Sequence, residues 1–121
     1  DPEVASVGLN ETMAKKAGIE YKVYKYDFAH IDRALAEGAT NGFIKILTNA
    51  KGKLIGAQIV GLHAGELIHE WVAVINAKVD IGKVEKSIHV YPTLAQINKK
   101  VSGNFLASQS ALVKIATYLL K

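Results

Sequence analysis

The hydrophobic and polar positions in the first half of the chain predict four strands. Residues 4–8 form a short apolar run, and residues 20–27 alternate loosely between polar side chains and Tyr or Val. Residues 42–48 and 53–60 are both rich in β-branched residues, and the segment between them reads Asn-Ala-Lys-Gly. This turn chemistry favours a hairpin, and the apolar residues on both faces of its strands place the hairpin centrally in the sheet.

Helical spacing dominates the remainder of the chain. Residues 11–17 predict a short helix that Asn10 caps and Gly18 ends, and residues 28–37 predict another that ends at Gly38. Residues 64–79 are expected to form the longest helix, before a break at residues 80–82, and residues 106–120 to form the last. The apolar side chains of this last helix surround much of its circumference, so it needs cover from the domain or from a partner. Because strands and helices are segregated, the predicted fold is α+β, a mainly antiparallel sheet with helices packed on it.

One segment, residues 88–93 (Ile-His-Val-Tyr-Pro-Thr), is named here the elbow. Pro92 fixes its own φ and favours an extended Tyr91. Apolar residues then follow at a spacing of three, four and four, which predicts a helix with Pro92 in its first turn; they are Leu94, Ile97, Val101 and Phe105. Tyr91 is thus expected at the mouth of a helix, on the same side as His89, and either packs inside the domain or reaches outside it.

Composition restricts the classes of function. The 121 residues suffice for one domain, residues 1–121, and their net charge of +4 is mild and scattered, so no nucleic-acid partner is expected. Without cysteine the chain has no disulfide, thiolate metal site or thiol nucleophile. No apolar stretch reaches the length of a membrane span, so we expect no membrane contact and a cytoplasmic location. The opening Asp-Pro-Glu predicts a fragment of a larger protein.

Three other clusters favour structural interpretations. Glycines follow a predicted strand but lack the dinucleotide-binding spacing, and we interpret them as turn and helix-entry residues: Gly56, Gly61 and Gly65. A single Glu-x-x-His-Glu run is half of what a di-iron site needs, so no metal site is expected at Glu66, His69 and Glu70. Tyrosines interleaved with lysines fit a half-exposed strand better than a base-stacking surface: Tyr21, Tyr24 and Tyr26.

Four motifs occur in an order that resembles the C-terminal dimerisation domain of the pyridine nucleotide-disulfide oxidoreductases, the family of dihydrolipoamide dehydrogenase, glutathione reductase and mercuric reductase. They are PEVASVGL at residues 2–9, IVG at 59–61, AGELI at 64–68 and YPTL at 91–94. The resemblance covers nearly the whole chain. It implies a homodimer whose interface this domain supplies, with FAD and NAD(P) bound by domains that precede residue 1 and no cofactor bound by this domain alone.

The resemblance also implies a role for the elbow, which in the family reaches the partner's flavin and redox disulfide. Tyr91 and His89 are therefore the candidate catalytic residues, contributed to the partner subunit, and Pro92 lies near the partner's flavin. Dithiol-handling members have a histidine before the proline and a glutamate five residues on, where this chain has Tyr91 and Gln96. A phenol titrates far above neutral pH and an amide does not titrate, so this pair is a poor proton shuttle.

Two questions stay open from the sequence. Tyr91 is similar to the mercuric reductase branch, but the cysteine pair that those enzymes carry near the C-terminus is absent here, so the electron acceptor is undefined: a mercuric ion, a disulfide, a quinone or another compound. His89 is the remaining imidazole and is an alternative base. The alternative to an inactive domain of a larger oxidoreductase is a stand-alone protein-interaction module.

Overall fold

The computed structural model describes residues 2–120, so Asp1 and Lys121, the ends of the predicted domain, lie outside the described residues. A 3₁₀ turn occupies Phe28–His30. The other elements, in chain order, are β1 (Glu3–Gly8), α1 (Glu11–Lys16), β2 (Lys22–Asp27), α2 (Asp32–Ala36), β3 (Phe43–Thr48), β4 (Leu54–Gly61), α3 (Ala64–Leu67), α4 (His69–Ala77), α5 (Ile81–Lys86) and α6 (Gln96–Leu120).

The four strands form one sheet in the order β1-β4-β3-β2, with every neighbouring pair antiparallel. The predicted α+β class is confirmed, and the β3–β4 hairpin is central as expected. Its turn depends on Asn49, whose Oδ1 accepts hydrogen bonds from the backbone N–H groups of Lys51 (2.9 Å) and Lys53 (3.0 Å). Gly52 has φ +81°, a conformation that glycine adopts without a steric cost. Local turn chemistry thus fixes the centre of the sheet.

The core lies between one face of the sheet and the helices. The register aligns two rows of side chains across all four strands: Tyr24, Ile46, Ala57 and Val7, then Tyr26, Ile44, Ile59 and Ala5. Trp71 of α4 and the inner residues of α6 pack over these rows, and the buried members form a single cluster with Phe28 and Ile31. At roughly 1.5–3 kcal/mol for each fully buried large apolar side chain, this layer is the main source of stability.

The first predicted helix is confirmed: Asn10 Oδ1 accepts a hydrogen bond from the Met13 N–H at 2.8 Å, and Gly18 follows the helix at φ +69°. The single helix predicted over residues 28–37 is wrong in detail. A 3₁₀ turn and α2 replace it, separated by Ile31, whose backbone is extended at φ −106° and ψ 121°. Ile31 is buried in the core cluster. The burial of its side chain therefore decides the backbone conformation here, and the helix is interrupted.

The segment over residues 64–79 is two helical segments, α3 and α4, that meet at Ile68, and it is not the longest helix of the described chain. It ends at Lys78, which adopts the left-handed conformation at φ 54°. Residues 81 and 82, predicted as part of a break, instead begin α5, because Ile81 and Val84 are buried on one side of that short helix. This helix was not predicted.

The two helices predicted at the end of the chain are one continuous helix, α6, of 25 residues. No proline interrupts it, and Gly103 is accommodated within it. It begins at Gln96, so Pro92 is not in its first turn and Leu94 precedes it, which corrects the predicted start. Over residues 2–120, no helix has both the length and the apolar character to span a bilayer.

Candidate functional site at the elbow

The elbow connects α5 to α6 and presents alternate side chains to opposite sides. Ile88 is 98% exposed and Val90 72% exposed, whereas the side chain of His89 between them is only 7% exposed. The Tyr91–Pro92 peptide bond is cis, and the chain bends there. The expectation that His89 and Tyr91 lie on the same side is wrong: His89 contacts Glu70 of α4, and Tyr91 contacts Asp32 of α2.

The first two residues of α2 hold the outer part of the elbow. The Tyr91 hydroxyl donates a hydrogen bond to Asp32 Oδ2 at 2.8 Å, and Arg33 Nη1 donates to the Pro92 carbonyl at 3.3 Å. Within the elbow, the Thr93 hydroxyl donates to the Val90 carbonyl at 2.5 Å. The bend is therefore pinned by side-chain contacts at three consecutive residues.

Tyr91 is 64% exposed, so the interpretation of this residue as an interior aromatic is wrong. The hydrogen bond to Asp32, and then the charge of that carboxylate, raise the pKa of Tyr91 above its ordinary value of 10.0. The phenol consequently keeps its proton at neutral pH. It is suited to donate a hydrogen bond and unsuited to act as a base.

Tyr91 and Gln96 line the same small cleft, of about 120 Å³, together with His30, Asp32 and Lys100. Tyr91 and Gln96, the two positions at which the family resemblance implied an acid/base pair, thus line the same cleft. Neither group titrates near neutral pH, so the cleft offers hydrogen-bonding groups without a proton shuttle between these two residues.

His89 lies against α4 with both ring nitrogens in contact with oxygen atoms. Its Nε2 is 2.8 Å from Glu70 Oε2 and 3.1 Å from Glu70 Oε1, and its Nδ1 is 3.1 Å from the Ser87 carbonyl oxygen. Neither nitrogen is left to face a reacting group. This geometry makes His89 an anchor of the elbow in this structure.

A buried amide extends the contact of His89 into the core. Asn98 of α6 donates from Nδ2 to Glu70 Oε1 at 2.9 Å and to the Leu67 carbonyl at 3.2 Å, and its Oδ1 accepts from Trp71 Nε1 at 2.7 Å. Asn98 and Trp71 are both fully buried. A continuous series of hydrogen bonds therefore connects the elbow to α4 and α6.

Sequence reasoning missed Asn98, Asp32 and Arg33. Asn98 carried a usable signal: together with Ser102 it forms a polar pair, four residues apart, beside the apolar stripe of the predicted helix, and both side chains are buried. Buried amides require partners, so this pair indicated a polar network. Asp32 and Arg33 gave no such signal, because their contacts lie 59 residues further along the chain.

The glycines considered for dinucleotide binding are used by the packing of the domain itself. A Cβ atom added to Gly56 would lie 1.8 Å from the Leu9 carbonyl oxygen, and one added to Gly61 would lie 2.7 Å from the Phe28 ring. Glycine is thus required at both positions by close approach of the domain's own backbone and core, in line with the structural interpretation. Among residues 2–120, no group of three or more His, Cys, Asp or Glu side chains is placed to hold a metal ion.

The tyrosines of β2 face the helices of the domain. Tyr24 packs edge-on against Phe105 of α6, with ring centroids 5.3 Å apart, and Tyr26 packs against His30 at 6.0 Å. Lys25 projects from the opposite face of the sheet, where its ammonium lies over Phe43. The alternation of tyrosine and lysine along β2 therefore reflects a strand with one buried face, as predicted.

Comparison with known proteins gives a consistent family. Residues 1–101 match the model of the pyridine nucleotide-disulphide oxidoreductase dimerisation domain. The chain is 39% identical over 97 residues to the dihydrolipoyl dehydrogenase of Chlamydia muridarum, covering 79% of this chain and 21% of that protein. It is 36% identical over 115 residues to that of Bacillus subtilis, covering 94% and 24%.

The fold also matches solved structures. The HOCl-induced flavoprotein disulfide reductase RclA from Escherichia coli superposes with a TM-score of 0.78 at 22% identity, over 84% of this chain and 24% of that one. An antiparallel sheet covered by helices is thus a fold that this chain shares with part of a flavoprotein disulfide reductase. The chain belongs to the pyridine nucleotide-disulphide oxidoreductase dimerisation domain family. It spans about a fifth to a quarter of the length of the curated relatives it matches.

Proposed function

We propose that this chain is the dimerisation domain of an FAD-dependent NAD(P)H oxidoreductase, mercuric reductase-like or dihydrolipoamide dehydrogenase-like, that works as a homodimer. The domain supplies the subunit interface, and its elbow completes the active site of the partner subunit. Family membership and the dihydrolipoyl dehydrogenase relatives support the class of enzyme. A cytoplasmic location remains a prediction from the sequence.

The observation that carries the proposal is the exposure of apolar side chains at two places, the elbow and the second half of α6. Ile88 and Val90 project from the elbow, and the second half of α6 exposes further apolar side chains: Leu112, Val113, Ile115, Tyr118, Leu119 and Leu120. Side chains of this kind are normally covered in an assembled protein. A second copy of the chain provides that cover, and an obligate interface of this class buries on the order of 2,000 Å² or more.

FAD and NAD(P) are assigned to other domains of the same polypeptide. The relatives' names support a flavin and a nicotinamide nucleotide in the parent enzyme. The glycine spacing, which is not that of a dinucleotide-binding turn, supports the view that this domain binds neither. The isolated chain is accordingly expected to be inactive and free of flavin.

Tyr91 is proposed as the residue that contacts the reacting groups, with Pro92 placing it beside the partner's flavin. Its exposure and its retained proton suit a hydrogen-bond donor that acts outside its own domain. The burial of His89 and the engagement of both its nitrogens favour Tyr91 over His89 in this role.

Hybrid dimers of the full-length protein test whether the elbow acts in trans. One hybrid pairs a subunit carrying Tyr91→Phe with a subunit carrying a disabling substitution in its flavin-binding domain. The other hybrid pairs a wild-type subunit with a subunit carrying both changes. If each active site combines the flavin of one subunit with the elbow of the other, the first hybrid retains one intact site and the second retains none.

We expect the first hybrid to turn over at about half the wild-type rate per dimer, and the second at about half the rate of the Tyr91→Phe homodimer. The reverse result would mean that the elbow serves its own subunit. Equal activity of Tyr91→Phe and wild-type homodimers would remove Tyr91 from the active site. Stoichiometric flavin bound to the isolated chain would contradict the assignment of FAD to another domain.

A further inference from the structure

We propose that Glu70 and Asn98 are positioning residues for the elbow, which they hold through the imidazole of His89. As a statement about catalysis this rests on the proposed function, because it concerns the placement of Tyr91, two residues beyond His89. As a statement about the network it depends only on the contacts described for Trp71, Asn98, Glu70 and His89.

The direction of each hydrogen bond in the inner half of the network is fixed by chemistry. The indole N–H of Trp71 is only a donor, so Asn98 presents its oxygen to Trp71. The amide nitrogen of Asn98 then faces the Leu67 carbonyl and Glu70 Oε1, which are both acceptors. Asn98 thereby holds the Glu70 carboxyl in one orientation.

The outer half of the network requires two protons. His89 Nδ1 faces a carbonyl oxygen and His89 Nε2 faces a carboxyl group, so each contact needs a hydrogen atom between its two heavy atoms. Both protons lie on the ring beside an ionised Glu70, or one lies on Nδ1 and the other on Glu70. His89 therefore links the Ser87 carbonyl to the Glu70 carboxyl group.

Other charged groups lie on the surrounding elements. Glu66 is on α3, His69 on α4, Lys86 on α5, Asp32 and Arg33 on α2, and Lys99 and Lys100 on α6. Within residues 2–120, the structure places only the carboxyl group of Glu70 within ion-pair distance of the His89 ring. Asp32 and Arg33 bind the elbow at Tyr91 and Pro92, on its other side. Glu70 is therefore the acidic partner of His89.

Trp71 offers a direct readout, because it is the only tryptophan of the chain. In the 121-residue chain, the NMR signal of the Trp71 indole N–H is expected to shift in His89→Gln and in Glu70→Gln, because Asn98 joins the indole to Glu70. The signal should keep its position in His69→Gln, the matched control, which removes an exposed histidine from the same helix.

Hydrogen exchange measures the hold on the elbow. At a fixed pH, the amides of residues 88–91 and 93 should exchange several-fold faster in His89→Gln than in the wild type, with His69→Gln unchanged. An indole signal that His89→Gln leaves at its wild-type position would overturn the proposal. So would equal exchange of the elbow in both variants. These measurements read the network and not turnover, so their failure is distinguishable from failure of the hybrid-dimer test.

Discussion

The two halves of α6 both carry apolar side chains, but these side chains lie in opposite environments. In the inner half, residues 96–106, Ile97, Val101 and Phe105 are buried against the sheet and belong to the core cluster. In the outer half, residues 107–120, Leu112, Ile115 and Leu119 are exposed, although they recur at helical spacing as well. An apolar stripe therefore indicates that a helix face has to be buried. It does not indicate whether the domain itself or a partner molecule buries that face.

The boundary between the halves lies close to the end of the family match at residue 101. The inner half is stabilised by the domain's own sheet. The outer half has no such support, and an isolated helix of about 14 residues is marginal in water. We infer that the outer half contributes to assembly more than to the folding of a single chain.

The largest expected effect contrasts one substitution at two positions of α6. Ile97→Ala removes a side chain that is 0% exposed and should lower the free energy of unfolding of the 121-residue chain by about 2–5 kcal/mol. Ile115→Ala, at a side chain that is 56% exposed, should lower it by no more than about 0.5 kcal/mol. Urea unfolding followed by circular dichroism measures both. Similar losses for the two variants would contradict the division of the helix.

A second prediction concerns assembly of the full-length protein. Replacing Ile115 and Leu119 by serine should raise the dimer dissociation constant by at least about tenfold, equivalent to about 1.4 kcal/mol, because both side chains lie on the proposed interface. Lys114→Ser is the matched control on the same helix and should leave the constant nearly unchanged. Sedimentation equilibrium provides the measurement. An unaltered dimer would exclude the outer half of α6 from the interface.

Elements that depend on local sequence were predictable. Asn49 and Gly52 determine the hairpin turn, and Asn10 and Gly18 bound α1, all within a few residues of the structure they produce. The boundaries that failed depend on burial by distant elements. Ile31 interrupts the predicted helix because its side chain is buried in the core. Ile81 begins α5 because its side chain is buried as well.

The candidate site was predictable in its residues and less so in their roles. Tyr91, Pro92 and His89 were identified from the elbow and the family resemblance, but the partner of each depends on long-range contacts. Glu70 lies 19 residues from His89, and Asp32 lies 59 residues from Tyr91. No spacing rule in the sequence connects such pairs, so the burial of His89 and the exposure of Tyr91 required the three-dimensional structure.

The smallest expected effect tests how Tyr91 is held on the outward side of the molecule. Asp32 raises the pKa of Tyr91, so the neutral phenol and its hydrogen bond are favoured below the ordinary pKa of 10.0 and lost as pH rises through the raised value. In Asp32→Asn, one of the five tyrosines should therefore ionise at lower pH than in the wild type, as followed by the ultraviolet absorbance of phenolate.

Asp27→Asn makes the same change in charge at an aspartate that contacts Lys25, so it should leave the tyrosine titration unchanged. Because Tyr91 is exposed, the effect of Asp32 should also weaken as salt screens the carboxylate. Identical titrations of Asp32→Asn and Asp27→Asn would mean that the phenol is not held by Asp32 in solution. A shift confined to Asp32→Asn would show that the domain itself orients the exposed ring, before any partner subunit covers it.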